Sequence, residues 1–258
     1  MIIDLHNHTI PLSRDSSLNP ADLIEQITRL GIGGVCLTEH NAAWDSQEFE
    51  KMAAASGIIV MPGMESTTEL GHILAFGIDR YFPEMARMAQ LSKISKSEGG
   101  GLVLAHTYRS SVYSKYWVNS DKSYRDVAFD FDVHGVEIFN GRGSESENRF
   151  SAHVANTLQL PGTGGSDAHH LAEIGRCVTN FEDAVWDLAS LLRAIRGGKM
   201  EGSIYSGGQA CTLIKLVPAS EEKPAYYVPE GGVNFQLLIW HLLLAGLRVW
   251  TVPRWGSW

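Results

Sequence analysis

Histidines and carboxylates stand directly after short apolar runs at several points of the chain. The first group is Asp4-Leu-His6-Asn-His8, where alternate residues of an extended segment point the same way, so that His6 and His8 can share one metal ion. One His-x-His pair alone has little specificity. Side chains of the same kinds follow later runs, namely His40, Glu65, His106, Asp167 and His169. This repetition indicates a metal site.

The apolar runs alternate with helical patterns, which predicts βα units and a mainly parallel sheet or barrel. The predicted strands are Ile2–Leu5, Gly33–Thr38, Ile58–Pro62, Ile73–Gly77, Leu102–Ala105, Val136–Phe139 and Pro161–Gly165. The predicted helices are one from Asn19 to Gly31 and others at Asp45–Ser56, Pro83–Ser97, Ser144–Leu158 and Asp183–Ile195. Barrel enzymes build their sites at the carboxyl ends of the strands, so the candidate ligands should meet at one mouth.

Two candidate ligands do not end a strand. Asp15 lies in the loop after the first predicted strand and is able to reach back over the mouth. His72 precedes its strand. The short polar loop before His72 allows a hairpin-like return, which would set His72 beside Glu65.

Mixed imidazole and carboxylate ligands suit Zn, Mn or Fe. Such ions can lower the pKa of a shared water, supply a bridging hydroxide and neutralise phosphate oxygens. We find no Ser–His–acid or Cys–His arrangement and no P-loop in the sequence. The chemistry expected is therefore metal-dependent hydrolysis of a phosphate ester, either a phosphomonoester or a cyclic phosphodiester of a small metabolite or nucleotide.

The segments IDLHNHT, LTEHN, GMEST, GHILAFGI, LAHT and GTGGSDAHH, in that order, resemble the polymerase-and-histidinol-phosphatase (PHP) family of metal-dependent phosphoesterases. The resemblance runs from the first residue to about Gly208. It implies an α/β fold, a distorted seven-stranded (β/α)7 barrel of PHP type, over residues 1–208. Residues 209–258 form a C-terminal extension to which the sequence assigns no role.

The resemblance also implies how the ligands are shared. His6, His8, Glu65 and Asp167 hold one metal, Glu65 bridges to a second that His72 and His106 complete, and Asp15, His40 and His169 hold the third. Glu65 and Asp167 are the implied catalytic residues, because Glu65 would serve two metals at once and Asp167 would sit beside the bridging hydroxide. The sequence departs from the family pattern at Glu39, where relatives commonly have aspartate, and at Thr107, where proline is frequent. Neither is a ligand.

Phosphate recognition usually adds a guanidinium, whose planar fork matches two oxygens. Arg142 and Arg176 each follow a glycine in a loop that should flank the mouth, so both are candidate substrate-binding residues. His72 and His106 are only 34 positions apart, which leaves no room for an inserted substrate domain. This spacing favours a small phosphorylated substrate.

The composition is that of a globular chain of 258 residues with a net charge of −8. This charge argues against a stable nucleic-acid partner. Three scattered cysteines without a C-x-x-C pair, and a first segment unlike a signal peptide, favour the cytoplasm. The apolar segment at Phe235–Val252 is short and carries charge, so no transmembrane helix is expected. The oligomeric state stays open.

Two other readings of the sequence remain. One is a different barrel metallohydrolase, either amidohydrolase-like or a TatD-like deoxyribonuclease. The lack of any lysine between Lys51 and Lys93 disfavours the first, and the set Asp15, His40 and His169 disfavours the second. The other reading is a non-catalytic metal-binding module, which the full ligand set disfavours.

Overall fold

The computed structural model describes residues 1–107 and 130–206, together with the backbone of 209–211. The strands are β1 (Ile2–Asp4), β2 (Gly34–His40), β3 (Ile59–Thr68), β4 (Gly71–Phe76), β5 (Gly101–Leu104), β6 (Gly135–Asn140), β7 (Gly162–Gly165), β8 (Cys177–Phe181), β9 (Met200–Ser206) and β10 (Gln209–Cys211). The helices are α1 (Pro20–Arg29), α2 (Ser46–Ser56), α3 (Met88–Glu98), α4 (Glu145–Leu158) and α5 (Leu188–Gly197), with 3-10 turns at Pro83–Ala86 and Leu171–Glu173. None of the described helices has both the length and the apolar character needed to cross a bilayer.

Side-chain caps fix where the helices begin. Asn19 accepts a hydrogen bond from the backbone N–H of Ala21 at 2.9 Å, and Pro20 opens α1 as predicted. Helix α4 begins with a capping box in which Ser144 and Glu147 satisfy each other's backbone N–H groups. Helix α5 begins later than predicted because Asp187 caps it by accepting the N–H of Ser190 at 2.7 Å.

All strands belong to one sheet in the order β10-β9-β8-β1-β2-β3-β4-β5-β6-β7. The pairs β1–β2, β2–β3, β5–β6 and β6–β7 are parallel, while β3–β4, β4–β5, β1–β8, β8–β9 and β9–β10 are antiparallel. The mainly parallel expectation therefore holds for only part of the sheet.

The seven predicted strands correspond to β1–β7, but the seven-strand count and the (β/α)7 pattern are not confirmed. Strands β8–β10 extend the sheet. Strand β3 returns directly into β4 through a tight turn between Thr68 and Gly71, which leaves no room for a helix. Gly71 has a φ of +116°, a conformation that favours glycine. The domain boundary at residue 208 stays a prediction, since residues 212–258 lie outside the described part.

The sheet curves into a nearly closed barrel, in which the segment after β7 meets the segment after β1 beside the first histidines. Asn7 and Ala168 form an isolated parallel bridge. The N–H of Asp167 donates to the carbonyl of His6 at 2.7 Å, and the N–H of His8 donates to the carbonyl of Ala168 at 3.0 Å. The two segments that carry four candidate ligands thus close the barrel against each other.

An apolar cluster fills the barrel below this closure. Ile3, Leu74 and Phe76 are fully buried in it, and α5 packs Leu191 and Ile195 against the same cluster. Met61, also in this cluster, lies four residues before Glu65 on the same face of β3. The site therefore rests directly on apolar side chains, which keep water away from its lower side.

Candidate metal centre

Glu65 is the centre of the site. Its side chain is fully buried on β3. Nδ1 of His72 and Nε2 of His106 both lie 2.9 Å from its Oε1, and Nδ1 of His40 lies 2.8 Å from its Oε2. The antiparallel turn from β3 into β4 places His72 there, which confirms the expected hairpin-like return.

The His-x-His pair approaches Glu65 from β1. Nε2 of His6 is 3.5 Å from Oε1 of Glu65, and Nε2 of His8 is 3.4 Å from Oε2. Asp167 faces the same two nitrogens with its Oδ1, at 3.6 Å from His6 and 3.3 Å from His8. Each of these side chains is almost entirely buried.

Asp15 closes the outer side of the cluster. Its Oδ2 lies 3.2 Å from Nε2 of His40 and 3.3 Å from Nε2 of His169. The rings of His40 and His169 both pack against His8, with centroids 4.0 and 4.4 Å away. The structure thus brings all nine predicted ligands into one cluster.

The carboxylates and imidazoles shift each other's pKa values. Burial would raise the pKa of Glu65, but His72, His6 and the other facing imidazoles hold it well below its usual value. Burial alone would lower the pKa of His6, and Glu137, Asp167 and Glu65 together raise it well above its usual value. Burial lowers the pKa of His8 to about 3, so His8 keeps a free electron pair at neutral pH.

Two candidate ligands have left-handed backbones. Asp167 has a φ of +52° and His106 a φ of +23°. Aspartate tolerates this region, whereas histidine does so at a cost that the surrounding structure must offset. Such conformations in non-glycine residues concentrate at functional sites.

The donor set fits divalent metal ions. Three groups each have ligand atoms within 4.8 Å of one another, namely His8, His40 and His169; His6, His8 and Asp167; and His6, Glu65 and His106. Oε2 of Glu65 is buried, and imidazole nitrogens of His40 and His8 face it at 2.8 and 3.4 Å. A buried carboxylate is costly unless donors or a cation face it.

The two predicted phosphate-binding arginines are placed differently. Nη1 of Arg142 lies 3.0 Å from Nδ1 of His169, at the rim of the cluster. Arg176 points its guanidinium at backbone carbonyls, donating to Gly141 at 3.3 Å and Ala172 at 3.2 Å. The guanidinium of Arg142 could therefore contact a molecule bound at the cluster. Arg176 instead supports the loop that carries Arg142.

Sequence reasoning missed two polar side chains that contact the candidate ligands, Glu137 and Asn140, and noted a third, Glu39, only as a departure from the family pattern. Glu137 and Asn140 on β6 hydrogen-bond to His6 and Asp167. Glu39 accepts the N–H of Thr9 at 2.8 Å and the hydroxyl of Ser13 at 2.5 Å. The available signal was a glutamate inside the apolar run Val136–Phe139, because an ionisable group in a buried strand needs a partner.

Fold and side-chain geometry together define a nearly closed barrel with a candidate metal centre at its mouth. Residues 4–135 match the family model of the PHP domain, and residues 145–200 match the PHP-associated model. The first match alone spans half of the chain. The chain belongs to the PHP family.

Other comparisons agree with this fold. An uncharacterized protein of Methanocaldococcus jannaschii, MJ1587, is 27% identical over 126 residues, which are 49% of this chain and 68% of that protein. PsfC from Pseudomonas syringae is 17% identical with a TM-score of 0.59, covering 81% of this chain and 93% of PsfC. A two-domain protein of Bacteroides vulgatus containing a predicted PHP-like metal-dependent phosphoesterase is 17% identical, with a TM-score of 0.60 over 80% of this chain and 65% of that one. A structure of endonuclease Q bound to duplex DNA with an abasic lesion is 15% identical, with a TM-score of 0.54 over 80% of this chain and 60% of that one.

Proposed function

We propose that this protein hydrolyses phosphate esters of small metabolites or nucleotides, as a metal-dependent phosphomonoesterase or cyclic phosphodiesterase. The observation that carries the proposal is the buried carboxylate of Glu65 amid the imidazoles of His40, His72 and His106. Two to three ions of Zn, Mn or Fe held there would supply activated water and the positive charge that a phosphate ester needs.

The chain's own residues have distinct parts in this proposal. Glu65 and Asp167 are the proposed catalytic carboxylates, because their oxygens lie closest to the paired nitrogens of His6 and His8. Arg142 is the proposed phosphate-binding residue, since its guanidinium stands beside His169 and is part-exposed. A planar guanidinium can donate to two phosphate oxygens at once.

A small substrate and a cytoplasmic location also belong to the proposal. Cys36 and Cys177 are buried free thiols, and burial raises the pKa of both, which suits a reducing compartment without requiring one. The net charge of −8 weighs against a stable nucleic-acid complex.

The test uses the whole chain loaded with Mn²⁺ or Zn²⁺. We expect turnover of p-nitrophenyl phosphate or bis(p-nitrophenyl) phosphate that chelation abolishes and Glu65→Gln removes. A panel of phosphorylated metabolites then identifies the substrate. Hydrolysis of an anilide instead would support the amidohydrolase alternative, and cleavage only of duplex DNA with an abasic site would support a nuclease. Metal binding without any turnover would mean a non-catalytic module.

A further inference from the structure

Glu137 is a buried carboxylate on β6, directly beside the metal-binding cluster. Its Oε1 lies 2.8 Å from Nδ1 of His6. Its Oε2 accepts the backbone N–H of His106 at 3.0 Å and the side-chain amide of Asn140 at 3.0 Å. A carboxylate only accepts hydrogen bonds, so each of these partners must be a donor. Glu137 therefore ties together three residues of the site.

The contact with His6 decides which ring nitrogen carries the proton. Because Glu137 accepts from Nδ1, the hydrogen of neutral His6 lies on Nδ1, and Nε2 keeps its electron pair. That Nε2 faces Nε2 of His8 at 3.0 Å and Oδ1 of Asp167 at 3.6 Å. In the neutral ring, which is the form that can bind a metal, the free electron pair of His6 thus points into the cluster.

Asn140 extends the same support to Asp167. Its side-chain nitrogen donates to Oε2 of Glu137 at 3.0 Å and to Oδ2 of Asp167 at 3.1 Å. Its side-chain oxygen accepts the backbone N–H of Arg142 at 3.0 Å, which fixes the orientation of the amide. The engaged Oδ2 leaves the other oxygen of Asp167 turned toward His6 and His8.

Gly165 leaves the space in which the carboxylate of Glu137 and the imidazole of His6 make contact. A Cβ on Gly165 would lie 2.4 Å from Cβ of His6 and 2.9 Å from Oε1 of Glu137. Any side chain there would push the carboxylate and the imidazole apart. The glycine in the GGSDAHH segment is therefore a steric requirement of the contact between Glu137 and His6.

We propose that Glu137 is a positioning residue of the metal centre. It fixes the tautomer of His6 and, through Asn140, the orientation of Asp167, so that both ligands offer free electron pairs to the same ion. The proposal rests on the metal dependence proposed above. Mutation of a carboxylate that orients a histidine ligand typically lowers metal affinity by about 10- to 100-fold.

The central variant is Glu137→Gln, which preserves shape but brings an NH2 group. Either orientation of the new amide sets that group against a donor, since His6 Nδ1, the N–H of His106 and the amide of Asn140 all donate. We expect zinc affinity, measured by competition with a fluorescent chelator, to fall about 10- to 100-fold. The matched control is Glu147→Gln, a buried glutamate of the α4 capping box whose oxygen contacts Ser144, and its zinc affinity should match wild type.

Two further readouts separate positioning from general support of the fold. The zinc-loaded wild type should show a protected Nδ1 proton for His6 in nitrogen-15 spectra of labelled histidines, and Glu137→Gln should lose that signal. With chelator present, the thermal unfolding midpoint of Glu137→Gln should stay close to that of wild type, although its zinc affinity is lower. The proposal would be overturned if Glu137→Gln bound zinc as tightly as wild type. It would also be overturned if the variant lost as much unfolding free energy in chelator as it lost zinc-binding free energy.

Asn140→Ala keeps the test decisive if Glu137→Gln does not fold. It removes the link to Asp167 and should by itself lower zinc affinity. Where both single variants fold, the double variant should lose less binding free energy than the sum of the two single losses. Additive losses would show that the two residues act separately, contrary to the proposal. Because zinc affinity is measured without substrate, absence of phosphoesterase turnover in wild type would refute the proposed function and leave the role of Glu137 standing.

Discussion

Nε2 of His6 lies 3.0 Å from Nε2 of His8, and both imidazoles are fully buried. Burial holds the pKa of His8 near 3, so at neutral pH its ring is uncharged. Two ring nitrogens this close repel each other unless they share a proton or face a common cation. The pair can therefore share a proton or face an ion that Glu65 and Asp167 could also reach.

The first prediction concerns metal content. We expect the purified protein to carry two to three equivalents of Zn, Mn or Fe, because nine ligands converge on one mouth. Each tightly held ion should also stabilise the fold, by roughly 2.7 kcal/mol at a metal concentration of 100 times Kd. Elemental analysis and thermal unfolding with and without chelator provide the measurements. Active protein with one ion or none would contradict the three-ion assignment.

The second prediction compares two carboxylates with an exposed histidine. Glu65→Gln and Asp167→Asn should each lower kcat by more than ~100-fold, beyond what a supporting residue costs. His170→Ala is the control, since His170 is exposed and hydrogen-bonds to Ser17 at 2.7 Å. Initial rates with bound metal measured on the same samples decide the matter. Loss of turnover in His170→Ala with wild-type rates in Asp167→Asn would mean that the last motif is misassigned.

The third prediction separates the two arginines. Arg142→Ala should reduce kcat/KM by roughly 30- to 150-fold, as expected for one lost charge-assisted phosphate contact, with bound metal unchanged. Arg176→Ala should have a smaller effect, because its guanidinium donates to the carbonyls of Gly141 and Ala172. If both variants kept the wild-type kcat/KM, phosphate would be bound by the metals and other groups and by neither arginine.

The fourth prediction uses two glycines as a matched pair. Gly165→Ala should weaken zinc binding and lower the unfolding midpoint, since a Cβ there would lie 2.4 Å from Cβ of His6. Gly197→Ala, in α5, meets no atom within 4 Å and should be neutral or stabilise by up to about 1 kcal/mol. Chelator competition and thermal melts check both. If Gly165→Ala bound zinc as tightly as wild type, the side chains around Gly165 would have to move aside without disturbing the site, contrary to this prediction.

The fifth prediction concerns pH and lies outside the metal centre. Burial lowers the pKa of His134, whose Nδ1 accepts the N–H of Leu102 at 3.3 Å. Because the folded pKa lies below the unfolded value of ~6.5, its contribution to stability is complete above that pH and is lost as pH falls below it. His134→Asn keeps an acceptor but does not titrate, so its unfolding free energy should fall less between pH 7.5 and 5.5.

The measurement for His134 is chemical denaturation in chelator, so that metal loss adds nothing to the pH dependence. His170→Ala serves as the control and should keep the wild-type slope. If His134→Asn has the same slope as wild type, other buried groups account for the acid sensitivity.

Sequence patterns predicted the ligand cluster more completely than the sheet that carries it. Imidazoles and carboxylates at strand ends are locally visible, and the short loop before His72 was enough to place it beside Glu65. Strand β9 was not predicted, because its sequence MEGSIYS has mixed polarity and no clean alternation of apolar and polar residues. Its pairing with β8 depends on contacts that no local pattern records.

Supporting residues were harder to predict than ligands for a physical reason. Glu137 acts through what it touches, and two of its partners, His6 and His106, follow other strands, 131 positions away in the case of His6. Its sequence neighbours show only an apolar run. Likewise, Arg142 and Arg176 look equivalent after their glycines, and only the folded loop shows that one faces the cluster and the other faces carbonyls.

The closure of the barrel has a consequence for the order of assembly during synthesis. His6 and His8 leave the ribosome well before their backbone partners Asp167 and Ala168, which follow some 160 residues later. Contacts so distant along the chain form slowly, because the intervening loop must first be ordered. A nascent chain that stops short of Asp167 therefore lacks two of the nine candidate ligands, Asp167 and His169, and the complete site has to wait for this last segment to emerge.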